Sequence, residues 1–176
     1  MNIRTAEKKD LPSIQNVIKT SFPIEEHKLI SILAKELSDE ISTPPVKSFI
    51  AEIDKKIIGY VSFSPIFFKL NTNILGYILS PLAVSSNIQN QGVGTKIVNF
   101  GIGELTKKGV HVLLVYGDPG YYKRFGFNED IGKLFVHQYT LKYPFGWLGI
   151  KLNSYAANIS PIEFECIDGL NKPELW

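Results

Sequence analysis

The 176-residue sequence contains very little sulfur and histidine chemistry. Cys166 is the only cysteine, so the chain can form neither an intrachain disulfide nor a cluster of thiolate metal ligands. A lone cysteine also fits a reducing compartment. The three histidines, His27, His111 and His137, lack the spacing of metal ligands. We therefore expect no metal.

Long hydrophobic runs are also missing. The first ten residues contain no apolar segment of the kind found in a secretory leader, and no run reaches the roughly 20 residues that cross a bilayer. We therefore expect a cytoplasmic protein without a membrane partner.

The chain has no excess of one charge. It contains 19 Lys and Arg against 17 Asp and Glu, which gives a net charge of +2, and the basic residues are dispersed. Nucleic-acid-binding domains usually carry a dense basic stripe, so we expect no nucleic-acid partner. A weak positive charge still favours the approach of a polyanionic ligand.

The remaining composition is that of an ordinary globular chain, with 44% hydrophobic and 20% charged residues. A length of 176 residues fits one hydrophobic core, and no linker or repeat interrupts the sequence. We therefore predict a single domain over residues 1–176.

Helical spacing of apolar residues predicts three main helices. The first follows Asp10 as its N-cap, the second follows Pro23 and runs to about residue 40, and the third covers 94–108 and ends at Gly109. A short helix is predicted over 121–125. The apolar positions of the three main helices are Leu11, Ile14, Val17, Ile18, Ile30, Leu33, Leu37, Ile97, Val98, Ile102 and Leu105.

Alternating and β-branched segments predict strands between and after these helices. They cover 49–53, 57–63, a hairpin of 66–70 and 76–84 around a turn at 71–73, a buried strand at 110–116, and two or three strands within 133–164. The predicted order is helix, helix, strands, helix, strand, helix, strands. This order indicates an α/β or α+β domain built around one mixed sheet.

Residues 82–95 carry the strongest functional signal: a buried strand, a polar turn and a glycine-spaced loop that opens a helix. Gly92 and Gly94 lack Cβ atoms, so a ligand can approach the backbone, and helix N-terminal N–H groups attract phosphate oxygens. A dinucleotide fold is disfavoured because Ile97 replaces its third glycine. A P-loop is disfavoured because Thr95 and Lys96 stand in the wrong order. A purely structural strand-to-helix turn remains an alternative.

The pattern Gln89-x-x-Gly92-x-Gly94 is similar to the pyrophosphate loop of the GCN5-related N-acetyltransferases (GNAT). Tyr122 lies four residues before Gly126-Phe127, and this arrangement resembles a second sequence motif of the family. Residues 117–127 resemble one bacterial branch of predicted acetyltransferases. The resemblance covers the whole chain and is most specific over 82–127.

This resemblance implies the GNAT fold, with one mixed, mostly antiparallel sheet flanked by helices. It also implies direct acetyl transfer from acetyl-CoA to an amine. Strand residues 82–84 would pair with pantetheine, and N–H groups of 91–95 would hold the pyrophosphate. An N–H near Val84 would polarise the thioester, and Tyr122 would protonate the leaving thiolate. The implied cofactor-binding residues are Leu82, Ala83, Val84, Gln89, Asn90, Gln91, Gly92, Val93, Gly94 and Thr95, and Tyr122 is the implied catalytic residue. For Tyr122, simple packing of a short helix is the alternative.

The general base and the acceptor stay open. Ile78 stands where some family members carry a glutamate, which leaves Asp118, Glu52, His27 or water as the base. Cys166 lies far from both motifs and is expected to act as a small hydrophobic residue rather than as an acyl carrier.

We expect the acceptor to be a small-molecule or peptide amine. Glu25 and Glu26 would favour a cationic one, but a solvated helix start explains these two residues equally well. Homodimer formation stays open, as does a different function, that of a non-catalytic acyl-CoA-binding module. An apolar acceptor pocket could use the aromatic residues Phe67, Phe68, Tyr139, Tyr143, Phe145 and Trp147, unless these belong to the core.

Overall fold

The computed structural model describes residues 1–70, 72–155 and 161–176, and nine strands and five α-helices lie within these ranges. The strands are β1 (Asn2–Thr5), β2 (Lys47–Ile53), β3 (Lys56–Phe67), β4 (Gly76–Val84), β5 (Val112–Tyr116), β6 (Phe135–Val136), β7 (Trp147–Lys151), β8 (Ile162–Glu163) and β9 (Glu165–Cys166). The helices are α1 (Leu11–Ser21), α2 (His27–Asp39), α3 (Val93–Lys107), α4 (Pro119–Tyr122) and α5 (Glu129–Gly132).

The main sheet has the strand order β1-β2-β3-β4-β5-β7, and β9 adds to β3. The pairs β1/β2, β2/β3, β3/β9 and β5/β7 are antiparallel, whereas β4/β5 is parallel. A separate parallel pair is formed by β6 and β8. The sheet is therefore mixed and mostly antiparallel, as predicted.

The chain folds as two compact units, and β3 and β4 contribute residues to both. The first unit is Met1–Phe63 with Ser80–Gly103, and the second is Ser64–Leu79 with Glu104–Trp176. A single domain over residues 1–176 remains a prediction.

In the first unit, helices bury the faces that their apolar periodicity predicts. Ile14, Val17 and Ile18 of α1 are buried, as are Ile30, Leu33, Ala34 and Leu37 of α2. Helix α3 approaches β3 so closely that a Cβ atom at Gly101 would overlap the Phe63 ring, with Cδ2 at 3.3 Å and Cε2 and Cζ nearer. This close packing fixes where α3 begins relative to the strands of its unit.

In the second unit, β5 is a fully apolar strand whose first four residues are buried. The predicted end of α3 at Gly109 is confirmed, since Gly109 has φ +75°. Trp147 of β7 stacks on Phe164 with ring centroids 5.9 Å apart, and its indole N–H donates to the Phe135 carbonyl at 2.9 Å. Trp147, Phe164 and Phe135 of the C-terminal segment therefore belong to the core.

Three predictions of local structure are wrong. The chain begins with a strand rather than a helix, because β1 gains its stability from pairing with β2 and has only one aliphatic residue to reveal it. Asp10 occupies the N-cap position of α1, but its side chain does not cap the helix, since its carboxylate accepts hydrogen bonds from Arg4 at 2.7 and 2.9 Å and from the Glu7 N–H at 2.8 Å. Residues 66 and 67 end β3 instead of starting a new strand. The predicted turn at 71–73 begins at Asn71, which lies outside the described residues.

Candidate active site

The junction between β4 and the following loop is held on both sides within the first unit. The Val84 carbonyl accepts hydrogen bonds from Ser21 Oγ at 2.7 Å and from Gln89 Nε2 at 3.0 Å. The next N–H, that of Ser85, donates to the Ile58 carbonyl at 2.9 Å. The peptide plane between Val84 and Ser85 is therefore fixed in orientation, and Gln89 has a local structural role. No sequence pattern pointed to Ser21, because it acts across 63 positions of the chain.

The loop that opens α3 has an unusual backbone conformation. Asn90 and Gly92 have φ values of +61° and +80°, a region that favours glycine and tolerates asparagine. A Cβ atom at Gly92 would meet nothing within 4 Å, so the space beside this residue is open. Gln89, Asn90 and Gln91 are exposed in the same loop.

The first turn of α3 presents unbonded N–H groups. The first helical hydrogen bond of this turn runs from the Lys96 N–H to the Gly92 carbonyl at 3.0 Å. The N–H groups of Val93, Gly94 and Thr95 therefore have no intrahelical acceptor and stand at the positive end of a 15-residue helix. Val93 is buried and would lie 3.2 Å from a Cβ atom at Gly59, which anchors this end of α3 on β3. Such an end attracts anions.

Strand β4 supplies the remaining predicted cofactor residues. Its parallel register with β5 covers Gly76 to Leu79, and Pro81 has no N–H to donate to a ladder. Leu82 and Val84 are half-buried, whereas Ala83 is buried. Ile78 is completely buried, and the strand contains no carboxylate.

In the second unit, a tight turn presents Tyr122. Asp118 is the N-cap of α4: its carboxylate accepts from the Gly120 N–H at 2.8 Å, and its carbonyl accepts from the Tyr122 N–H at 3.0 Å. The Tyr122 ring lies against the backbone of Gly117, where a Cβ atom would be 2.9 Å from Cδ2 and closer still to Cε2. Only glycine at 117 leaves room for this ring.

Gly126 and Phe127, the other residues of the predicted motif, shape the packing around Tyr122. Gly126 has φ +92° and ends the turn that follows α4, which lets Phe127 fold back with its ring centroid 5.8 Å from that of Tyr122. Burial raises the pKa of Tyr122 well above its usual value of 10.0, so the phenol keeps its proton. Its hydroxyl has no hydrogen-bond partner among the described residues. The Tyr122 side chain is thus half-buried and protonated.

Each of the three candidate bases has a partner in the structure. Asp118 caps α4, and Glu52 binds Asn2 at 3.1 Å and Arg4 at 3.4 Å. His27 Nε2 lies 2.7 Å from the Phe22 carbonyl. Because a carbonyl only accepts, this nitrogen carries the hydrogen.

The predicted acceptor residues have mixed environments. Glu25 and Glu26 are exposed in the turn between α1 and α2. Phe68 and Trp147 are buried in the core, whereas Phe67, Tyr143 and Phe145 are exposed. The ten predicted cofactor residues form one stretch of the first unit, and Tyr122 lies in the second.

Two features are absent from the described ranges. Within residues 1–70, 72–155 and 161–176, no helix is long and apolar enough to cross a membrane. In the same part of the chain, no group of three His, Cys, Asp or Glu side chains is placed to hold a metal ion.

Comparison with known proteins identifies the family. Residues 11–127 match the acetyltransferase (GNAT) family. The chain is 33% identical over 127 residues to the uncharacterized N-acetyltransferase YjhQ of Escherichia coli K12, covering 72% of this chain and 68% of that protein. It is 32% identical over 130 residues to YhbS of the same strain, covering 72% and 73%.

Solved structures agree with this family. Escherichia coli YhbS in complex with CoA has a TM-score of 0.79 at 25% identity, covering 97% of this chain and 92% of that one. A GNAT acetyltransferase from Brucella melitensis in complex with acetyl-CoA has a TM-score of 0.62 at 22% identity, covering 89% and 90%, and supports the fold alone.

The family match and the relatives named N-acetyltransferases confirm the predicted fold and class of activity, and they do not favour a non-catalytic acyl-CoA-binding module. The likeness of residues 117–127 to one bacterial branch stays a prediction. The chain belongs to the GNAT family of acetyltransferases.

Proposed function

We propose that this acetyltransferase moves the acetyl group of acetyl-CoA directly to a primary amine. The observation that carries the proposal is the structure of segment 82–95. The end of β4 is fixed by hydrogen bonds, the next loop contains two residues with positive φ, and the loop ends at the N–H groups of α3 that have no intrahelical acceptor. The similarity to YhbS, which was crystallised with CoA, supports the choice of cofactor.

We assign the pyrophosphate of CoA to the first turn of α3. The N–H groups of Val93, Gly94 and Thr95 donate to its oxygens, and the open space at Gly92 admits them. Asn90 and Gln91 complete the loop, while Gln89 holds the loop in place through the Val84 carbonyl.

We assign pantetheine to residues 82–84 of β4. Backbone groups of Leu82, Ala83 and Val84 pair with the amides of this arm, as a ligand adds to a free strand edge. An N–H near Val84 polarises the thioester carbonyl. The Ser85 N–H already donates to the Ile58 carbonyl, so we assign this role to the N–H of Val84 itself, a residue that Ser21 and Gln89 hold in place through its carbonyl.

Tyr122 completes the transfer. The amine nitrogen forms a bond to the thioester carbon, the carbon–sulfur bond breaks, and the Tyr122 hydroxyl gives its proton to the leaving thiolate. The raised pKa of Tyr122 keeps that proton available at neutral pH. The attacking amine also loses a proton, and water, Asp118, Glu52 and His27 stay open as its acceptor, because a contact with one neighbour leaves each of these side chains a further lone pair.

The acceptor is a small-molecule or peptide amine. Glu25 and Glu26, exposed in the α1–α2 turn, favour a cationic one. The single cysteine supports a reducing, cytoplasmic location.

Titration calorimetry tests the cofactor site. We expect CoA and acetyl-CoA to bind with a Kd on the order of 1 µM, far more tightly than NAD or ATP. Gly92→Val should abolish CoA binding, because a side chain at φ +80° strains the loop and occupies the open space. Gly103→Ala is the matched control: a Cβ atom there also meets nothing, but its backbone is helical. Equal affinity for NAD and CoA would contradict the proposal.

A further inference from the structure

The second unit contains a cavity of about 630 Å³ that the acetyl-transfer site does not use. This volume is within the range of small-molecule sites. Its lining residues are Phe67, Lys69, Leu70, Val136, His137, Gln138, Pro161, Glu163, Phe164 and Glu165.

Two short strand pairs build the wall of this cavity in the same way. In the parallel pair β6/β8, Phe135 and Ile162 are buried, and the next register pair, Val136 and Glu163, lines the cavity. Because neighbouring residues of a strand face opposite sides, Val136 and Glu163 share one face.

The antiparallel pair β3/β9 repeats this arrangement. Ile66 and Cys166 are buried, whereas Phe67 and Glu165 line the cavity. Each strand pair therefore sets one apolar side chain beside one carboxylate.

The apolar part of the wall is exposed. Phe67, Leu70 and Val136 are 36%, 67% and 43% exposed. Apolar side chains grouped around a concave surface mark a binding site more often than isolated ones do. Phe164 is buried beside them.

The charges of the wall do not cancel. Lys69 forms an ion pair with Glu165 and also interacts electrostatically with Glu163, so one cation stands against two carboxylates. Burial lowers the pKa of His137, so this ring is neutral at neutral pH. The cavity thus combines an apolar surface with a net charge of −1, from Glu163 and Glu165 against Lys69.

His137 adds an unsatisfied polar atom. Its Nδ1 lies 3.1 Å from the Tyr139 nitrogen and 3.2 Å from the Tyr139 oxygen, so either tautomer is held. Its Nε2 is buried and has no hydrogen-bond partner among the described residues. Buried polar atoms are nearly always satisfied, which indicates a missing partner for this one.

We propose that this cavity binds a small monocationic amine with an apolar or aromatic body, the ammonium group beside Glu163 and the apolar body against Phe67 and Val136. The charge and the apolar surface select such a ligand over an anion or a purely polar cation. The inference is independent of the proposed acetyl transfer, because it rests on residues that the reaction does not use.

NMR titration of the ¹⁵N-labelled protein tests the proposal. The probe is 2-(1-naphthyl)ethylamine, with 2-(1-naphthyl)ethanol as its uncharged analogue and propylamine as a cation without an aromatic body. We expect saturable shifts of the backbone signals of Val136 and Glu163 with a Kd on the order of 1 mM, and weaker binding of both analogues.

Two variants localise the charge. Glu163→Gln should weaken binding of the naphthyl amine about two- to fivefold, the range of an exposed ion pair, and leave the alcohol unaffected. Glu174→Gln, an exposed carboxylate that does not line the cavity, should change neither. Both side chains are exposed, so both variants should fold.

Absence of saturable shifts at 10-fold the expected Kd would overturn the proposal, as would an equal effect of the two variants. Calorimetry with CoA on the same samples keeps the two proposals apart. Normal CoA binding without amine binding overturns only the cavity proposal, whereas amine binding without CoA binding overturns only the proposed function.

Discussion

Replacing Tyr122 with phenylalanine removes one oxygen atom and leaves the packing of the ring unchanged. The ring contacts with Phe125, Phe127 and the Gly117 backbone involve no hydroxyl. Because the hydroxyl has no partner within the described ranges, its loss breaks no internal hydrogen bond. The free energy of unfolding should therefore change by no more than about 0.5 kcal/mol.

The effect on catalysis should be much larger. Loss of a general acid usually lowers the rate about ten- to a thousandfold, which corresponds to about 1.4 to 4 kcal/mol of transition-state stabilisation. We expect kcat to fall within this range for Tyr122→Phe. The affinity for acetyl-CoA should hardly change, because the α3 loop lies outside the α4 turn.

Tyr121→Phe is the matched control. Its ring is the neighbour of Tyr122 on α4, and the two ring planes meet at 85°. Successive helical side chains differ in direction by about 100°, so both hydroxyls cannot reach one sulfur atom. We expect Tyr121→Phe to keep the wild-type kcat.

The assay measures CoA release and acetyl-CoA affinity for both variants, once screening of purified protein against pooled amines has identified an acceptor. The pH profile gives a further check. Since the pKa of Tyr122 is raised above 10.0, its proton should not limit kcat below pH 10. A wild-type rate for Tyr122→Phe together with a slow Tyr121→Phe would move the catalytic role by one residue. Normal rates in both would exclude a catalytic hydroxyl.

Three other predictions concern Gly117, Cys166 and His137. Gly117→Ala should lower kcat to about the level of Tyr122→Phe, because the added methyl group displaces the Tyr122 ring, and the double variant should lose no more than Tyr122→Phe alone. Cys166→Ala should keep most activity with intersecting initial-velocity lines, because Cys166 is buried and burial raises its pKa to about 12; parallel lines with an acetylated Cys166 would refute direct transfer. The His137 pKa is lowered from 6.5, so its stabilising contribution is complete above pH 6.5 and is lost as pH falls through the folded-state pKa; denaturant unfolding should show this slope in wild type and lose it in His137→Phe.

Local sequence was sufficient for the elements that have strong periodicity or a strict backbone requirement. The faces of α1 and α2 follow from apolar residues three and four apart, and Gly109 follows from the left-handed residue that ends α3. The conformation of the loop that opens α3 was also predictable, because Gly92 adopts φ +80°, a conformation that few other residues tolerate.

Elements stabilised by distant partners were not predictable in this way. Strand β1 exists because it pairs with β2, and Asp10 binds Arg4 instead of capping α1. The cavity wall is formed where Val136 pairs with Glu163 and Phe67 pairs with Glu165 in adjacent strands, and the members of each pair are far apart in the chain.

The sequence alone therefore determined the family, the order of most elements and the two motifs, because each depends on neighbouring residues and on backbone conformations that particular residues require. Only the tertiary structure decided the rest. It showed that Ser21 and Gln89 hold the Val84 carbonyl and that Gly117 leaves room for Tyr122. Hydrogen bonds and van der Waals exclusion act over a few ångströms of space, whatever the separation along the chain.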